Sequence, residues 1–328
     1  MPITSVTKDA EALTMTVVSD FSVPVQRLWD AHADPRQLEK FWGPEDWPAT
    51  FTRHDFHPGG RSHYWMTGPD GTRAAGYWEF LAIDPGRSFE VTDGFADESG
   101  TPNPEMPQMR LRLTFAETPH GSRLTSTSWF NSTEDYRQLL EMGMEEGLTS
   151  AMGQMDAVLE DLSSFAAGRG AQTQMLTDTK VRISRIIRGT PEKVWQAHRD
   201  PDLMRRWLLG PDGWRMRECQ LGEKVGESYR FVWEREEDGS DSFAFFGELK
   251  ELDAPHREVT TENMEGMPSP PNINEQTLTP VHGGTLLTVV ITYPDKETRD
   301  IVLGTGMADG MEASYARLEA VLTASSRS

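Results

Sequence analysis

Val25-Gln26-Arg27-Leu28-Trp29-Asp30-Ala31-His32-Ala33-Asp34-Pro35 returns later in the chain as Pro191-Glu192-Lys193-Val194-Trp195-Gln196-Ala197-His198-Arg199-Asp200-Pro201. Trp29, Ala31, His32, Asp34 and Pro35 are each displaced by the same 166 positions (195 − 29). A register held over a tryptophan and a histidine implies two copies of one fold, so a site found in one half is to be sought in the other. Gly43-Pro44 and Trp47 recur as Gly210-Pro211 and Trp214 at a shift of 167 (210 − 43), one residue having been added where a loop is expected.

The end of each half carries the second match. Leu140, Met144, Leu148, Met152, Met155, Val158 and Leu159 correspond to Leu303, Met307, Met311, Tyr315, Leu318, Val321 and Leu322 at a shift of 163 (307 − 144). Apolar steps of about three and four residues mark one face of a helix. The fall in the shift places a deletion in the middle of the second copy, where surface loops tolerate it.

Composition bounds the function. The 328 residues suffice for two domains of about 150 residues, each with its own core. The expected division is 1–167 and 178–328, with a polar connector over 168–177. A net charge of −20 repels phosphate backbones and anionic lipid surfaces, so no nucleic acid partner is expected. Cys219 is the only cysteine, which excludes an intramolecular disulfide. The first residues lack the basic-then-apolar pattern of a secretory signal, and no apolar run is long enough to span a bilayer, so no membrane insertion and a cytoplasmic location are expected.

In the first half, residues 13–21 alternate as a strand. A helix follows Pro24, and Asp34-Pro35 ends it and starts a short second helix. Residues 49–131 read as about six strands, with turns at Pro58-Gly59-Gly60, Pro69-Asp70-Gly71, Asp84-Pro85-Gly86 and His120-Gly121. One long helix over 133–165 closes the unit. The second half repeats this order and ends in a helix over 295–323. The predicted class is α+β: two tandem domains, each an antiparallel sheet of about seven strands that curls around a long C-terminal helix. Such a curl leaves a groove lined by inward-facing strand residues and one helical stripe.

The element order, the motif around Trp29 and Trp195, the Gly-Pro turns after Trp42 and Leu209, the turns Pro58-Gly59-Gly60-Arg61 and Lys224-Val225-Gly226-Glu227, and the closing helices resemble the START-like or SRPBCC superfamily. Within it the chain is most similar to the branch homologous to the heat shock protein 90 ATPase activator, present as two tandem domains over nearly the whole sequence. The resemblance implies a helix-grip fold and a hydrophobic cavity for a small apolar or amphipathic ligand, with no cofactor. In the eukaryotic activator the domain follows a different N-terminal domain for which this sequence shows no counterpart, so chaperone stimulation is not among the expectations.

The candidate lining residues are Trp29, His32, His63, Trp65, Trp78, Met106, Met144 and Met152 in the first half. In the second they are Trp195, His198, Trp233, Met307, Met311 and Tyr315. Ten tryptophans and sixteen methionines supply large, adaptable apolar surface, suited either to a plastic pocket or to core filling. His32 and His198, one turn after Trp29 and Trp195, are read chiefly as packing or capping residues. His54 and His57 are an odd number of positions apart, which points them to opposite faces of a strand and argues against a metal site with His63. Cys219 reads as a buried thiol, and no catalytic motif is visible. Gly143 and Gly147 recur as Gly306 and Gly310 near the start of the closing helices, marking either a ligand entrance or a local helix irregularity. The matching acid-, Met- and Pro-rich loops over 93–108 and 263–272 are read as lids or as surface segments. Two other functions stay open: a polyketide cyclase or dehydratase using His32, His63 and Arg61, and a protein-interaction module whose partner the sequence does not identify.

Overall fold

The computed structural model describes residues 3–161, 170–267 and 269–325, and the chain divides into two units, Met1–Ser163 and Ser164–Ser328. The first runs β1 (Ile3–Asp9), β2 (Thr14–Phe21), α1 (Val25–Ala33), α2 (Pro35–Leu38), β3 (Ala49–His54), β4 (Arg61–Thr67), β5 (Arg73–Asp84), β6 (Ser88–Phe95), β7 (Gln108–Thr118), β8 (Gly121–Phe130), α3 (Thr133–Glu141) and α4 (Met144–Glu160). Its strands form one antiparallel sheet in the order β1-β2-β8-β7-β6-β5-β4-β3. In β7, Met109, Leu111, Leu113 and Phe115 are buried while Arg110, Arg112 and Thr114 between them are exposed, the period-two signature of a sheet with one covered face.

The recurring Asp-Pro pair is a helix start. The Asp34 carboxylate accepts a hydrogen bond from the Arg36 backbone N–H, and Pro35 occupies the first turn of α2, where its missing N–H costs nothing. The repeated tryptophan anchors α1. Trp29 meets the edges of Phe56, Phe89 and Phe115 at 5.4, 6.2 and 5.2 Å between ring centres.

The second unit runs β9 (Gln172–Met175), β10 (Lys180–Ile187), α5 (Pro191–Arg199), α6 (Pro201–Trp207), β11 (Trp214–Gln220), β12 (Ser228–Arg235), β13 (Ser242–Asp253), β14 (Arg257–Met264), β15 (Asn272–Val281), β16 (Gly284–Thr292), α7 (Lys296–Gly304) and α8 (Met307–Ser325). Its sheet order is β11-β12-β13-β14-β15-β16-β10-β9. Asp200 caps α6 as Asp34 caps α2, accepting from the N–H groups of Asp202 and Leu203.

Three details depart from the sequence reading. Each sheet has an eighth strand, β1 or β9, at its edge. Both are mostly exposed and are held by backbone pairing to β2 and β10, so they carry little hydrophobic alternation to be read. Consequently the expected connector is strand over Gln172–Met175, while residues 168 and 169 lie outside the described residues. Finally, each closing helix is two helices. The first breaks at Gly143, whose φ of +85° would strain any residue with a Cβ, and the second breaks at Gly306 with φ +81°. Residues 162–165, expected to extend the first closing helix, are also outside the described residues.

Candidate functional site

A cavity of about 370 Å³ lies in the first domain between the sheet and the closing helices. Alternation places Tyr64 and Met66 of β4, and Met109 and Leu111 of β7, on its wall. Ala74, Ala75 and Gly76 of β5, Asp93, Gly94 and Phe95 of β6, and Ser128 of β8 complete the sheet side. The turn after α2 supplies Trp42, Gly43 and Pro44, the 93–108 loop supplies Pro107, and α3 and α4 contribute Leu139, Met142, Gly143, Met144, Gly147, Leu148 and Ala151. The broken helix therefore faces the cavity at its break. Gly76 pairs with Tyr64 across β4 and β5, and a Cβ on Gly76 would stand 2.6 Å from the Tyr64 ring, so the glycine is what lets that ring lie flat over the strand.

Among these lining residues Asp93 is the only carboxylate, and none is lysine, arginine or histidine. The Trp78 indole N–H donates to its Oδ1 at 3.1 Å, and Tyr64 also hydrogen-bonds to it. Burial nevertheless dominates and pushes the carboxyl up to about 7, against the downward pull of those hydrogen bonds. Burial, and then the neighbouring Asp93, raises the Tyr64 hydroxyl well above the usual phenol value. A second polar point is Ser128, which is fully buried and whose hydroxyl has no hydrogen-bond partner.

The second domain repeats the acid. Glu262 is the sixth residue of β14 as Asp93 is of β6, and burial raises its carboxyl while a hydrogen bond from Asn274 opposes the shift. The Tyr293 hydroxyl is pushed up to about 12, by burial first and then by Glu262. Here the helix side carries a larger side chain at one position. Tyr315, at the position of Met152, stacks on Trp207 at 6.4 Å, and Met307 and Met311 pack against the same core cluster.

The structure sorts the residues singled out from sequence. Of the first-domain set, Met144 lines the cavity. Trp78 lies behind it and holds Asp93. Trp29 and Met152 are core, and Met106 borders a separate cleft with Tyr77 and Gln138. His63 and Trp65 alternate with the wall residues Tyr64 and Met66 and so take the opposite face of β4. The His63 ring meets Thr52 Oγ1 at 2.8 Å, and Arg73 covers Trp65 at 4.5 Å.

His32 and His198 are packing residues. The His32 Nδ1–H donates to the Leu28 carbonyl at 2.9 Å, and that of His198 to the Val194 carbonyl at 2.8 Å. Burial, opposed by these bonds, lowers both to about 4, so they are neutral at pH 7. Trp195 lies against the second core cluster, and Trp233 stacks on Phe243 and donates to the Leu208 carbonyl at 2.8 Å. His32, His63 and Arg61 are not brought together. Arg61 is exposed beside Glu79, and none of the three lines the cavity.

Other expectations resolve similarly. The His54 ring bridges Ser62 Oγ at 2.8 Å and the His32 carbonyl at 3.1 Å, while the His57 ring meets the Pro58 carbonyl at 3.2 Å. Cys219 is buried, with its thiol 3.7 Å from the Met204 sulfur. The 93–108 loop is folded on itself: Asp97 Oδ1 accepts from the N–H groups of Ser99 and Thr101. No described helix is long and apolar enough to cross a membrane.

Asp93, which lines the cavity, and its counterpart Glu262 are not among the residues singled out from sequence. The available signal was an acid at the matching place in each copy, in the otherwise uncharged runs Val91-Thr92-Asp93-Gly94 and Val259-Thr260-Thr261-Glu262.

No curated protein matches the chain. Among solved structures, a Mycobacterium smegmatis protein is similar at 48% identity over 49% of this chain and 98% of its own, with a TM-score of 0.46. An Arthrobacter aurescens protein is similar at 46% identity over 48% of this chain and 92% of its own, with a TM-score of 0.47. A Rhodobacter sphaeroides protein follows at 30% identity over 47% and 99%, with a TM-score of 0.45. Each spans about one of the two halves. The family described as Activator of Hsp90 ATPase homolog 1-like protein matches twice, over residues 22–160 and 188–323, and the chain belongs to that family as a tandem pair of its domains.

Proposed function

We propose that the protein binds a small apolar or amphipathic molecule in the cavity of its first domain, with the second domain a diverged copy that has Tyr315 where the first has Met152. The observation that carries this reading is the 370 Å³ space walled by apolar side chains around a single carboxylate and an unpartnered hydroxyl. Its size falls within the range of about 300–1,000 Å³ typical of small-molecule sites, and a mostly apolar wall with few polar groups is their usual composition. Apolar surface gives affinity, and the polar points fix orientation. A binding or carrier role needs no further machinery.

Native mass spectrometry of the full chain purified from its own host tests the proposal, with Gly147→Leu as the comparison. A Cβ at Gly147 meets nothing within 4 Å, and the larger side chain extends into the cavity while a helix-breaking residue is removed. A small-molecule adduct on the wild type that is lost from a folded Gly147→Leu protein is the expected result. An adduct retained unchanged by the variant places the ligand elsewhere and ends the proposal.

A further inference from the structure

We propose that the first-domain cavity selects ligands carrying one basic amine on an apolar body, the ammonium being held by the Asp93 carboxylate. This rests on the reading that the cavity is a ligand site, and adds to it the chemical class of the ligand. The wall offers Asp93 with no lysine, arginine or histidine to neutralise it. The groups that do reach the carboxyl, the Trp78 indole and the Tyr64 hydroxyl, are neutral hydrogen-bond donors. An ammonium arriving beside it forms a charge-assisted hydrogen bond, the strongest contact this wall can make.

An alcohol of the same shape can donate one hydrogen bond to Asp93 but brings no opposite charge, and a carboxylic acid brings a like charge to it. Ser128 is a second polar residue of the wall. Its hydroxyl, like those of Ser19 and Ser126, is buried without a hydrogen-bond partner. The net charge of −20 also draws a cation and repels an anion on approach.

Proton competition gives the proposal a signature. The empty site holds its proton up to about pH 7, and an ammonium binds the ionised form. The titratable groups facing Asp93 are Tyr64 on β4 and Tyr77 on β5, both raised above their ordinary values by burial and by Asp93 itself. They remain neutral across the range of interest. Glu79 and Arg61 act on Tyr77, while the lining residues of β7, β8, α3 and α4 carry no charge. Amine affinity therefore rises roughly tenfold between pH 6 and pH 8 as Asp93 ionises, and alcohol affinity changes less.

The experiment is isothermal titration of the full chain with 4-phenylbutylamine and with 4-phenyl-1-butanol at pH 6 and pH 8, on the wild type and on Asp93→Asn. The expected result is an amine bound at least tenfold more tightly than the alcohol at pH 8. That preference is weaker at pH 6 than at pH 8 in the wild type and disappears in Asp93→Asn, which still binds the alcohol. Equal binding of the two probes, or an amine preference that survives Asp93→Asn, overturns the inference while leaving the cavity reading intact. If neither probe binds the wild type, both fail. Should Asp93→Asn not fold, the wild-type pH comparison decides alone: an amine preference independent of pH refutes the proposal.

Discussion

Replacing Asp93 by asparagine should change how the stability of the first domain responds to pH. In the folded domain burial keeps the carboxyl protonated up to about pH 7, whereas an unfolded chain gives up the same proton near pH 4. Between those values the unfolded state binds fewer protons than the folded one, so stability falls as pH rises through the window and levels off above it. With the folded value near 7, the penalty grows by about 2 to 3 kcal/mol between pH 5 and pH 8.5. Asparagine has nearly the same shape, leaves the Trp78 indole with an acceptor, and does not titrate. The wild type should therefore lose about 2 to 3 kcal/mol relative to Asp93→Asn over that interval, a shift of about 1 M in urea midpoint for a slope of ~2 kcal/mol per M. Pulsed hydrogen exchange in urea, read by mass spectrometry on peptides covering β4 and β6, follows this domain separately from the other. Taking the difference between the two proteins at each pH removes the contribution of all other titrating groups. A difference that stays constant within about 0.5 kcal/mol from pH 5 to pH 8.5 would mean that the carboxyl is solvated and that the cavity is not the low-dielectric site argued above.

The two glycines of the first closing helix should respond in opposite senses. Gly147→Ala should raise the stability of the domain by up to about 1 kcal/mol, since it lies inside α4 and its Cβ meets nothing, while Gly143→Ala should lower it by about 1 kcal/mol because of its positive φ; urea unfolding of both variants measures this. His32 and His198 should remain neutral Nδ1–H tautomers from pH 8 down to about pH 5, as both are pushed down to about 4 by burial, and long-range proton–nitrogen correlation spectra read the tautomer directly. An imidazolium signal from either ring at pH 6 would contradict the packing role given to them.

Local rules acting on a repeated text were enough to read the architecture. The matched Trp-x-Ala-His and Asp-Pro segments, the helical stripe from Met144 to Leu159 and the turn residues between strands all express short-range physics: caps, periodicity and φ preferences. The break at Gly143 was half visible, because a glycine inside a helical stripe signals either space or a kink, and only its φ of +85° tells which. The position of the cavity was decided in space. In β4 the residues His63, Tyr64 and Trp65 are all buried, so alternation gives no contrast from which to choose the inward face. The covering of the outer face comes from a distant loop whose Gly100 sits against the His63 ring. That His63 and Trp65 lie on the face opposite the cavity wall residues Tyr64 and Met66 is therefore a matter of parity that no local pattern decides. Likewise Tyr64, Trp78 and Asp93 meet only because β4, β5 and β6 are laid side by side. The raised proton affinity of Asp93 is a property of that assembled surrounding, whereas the residue by itself is an ordinary acid.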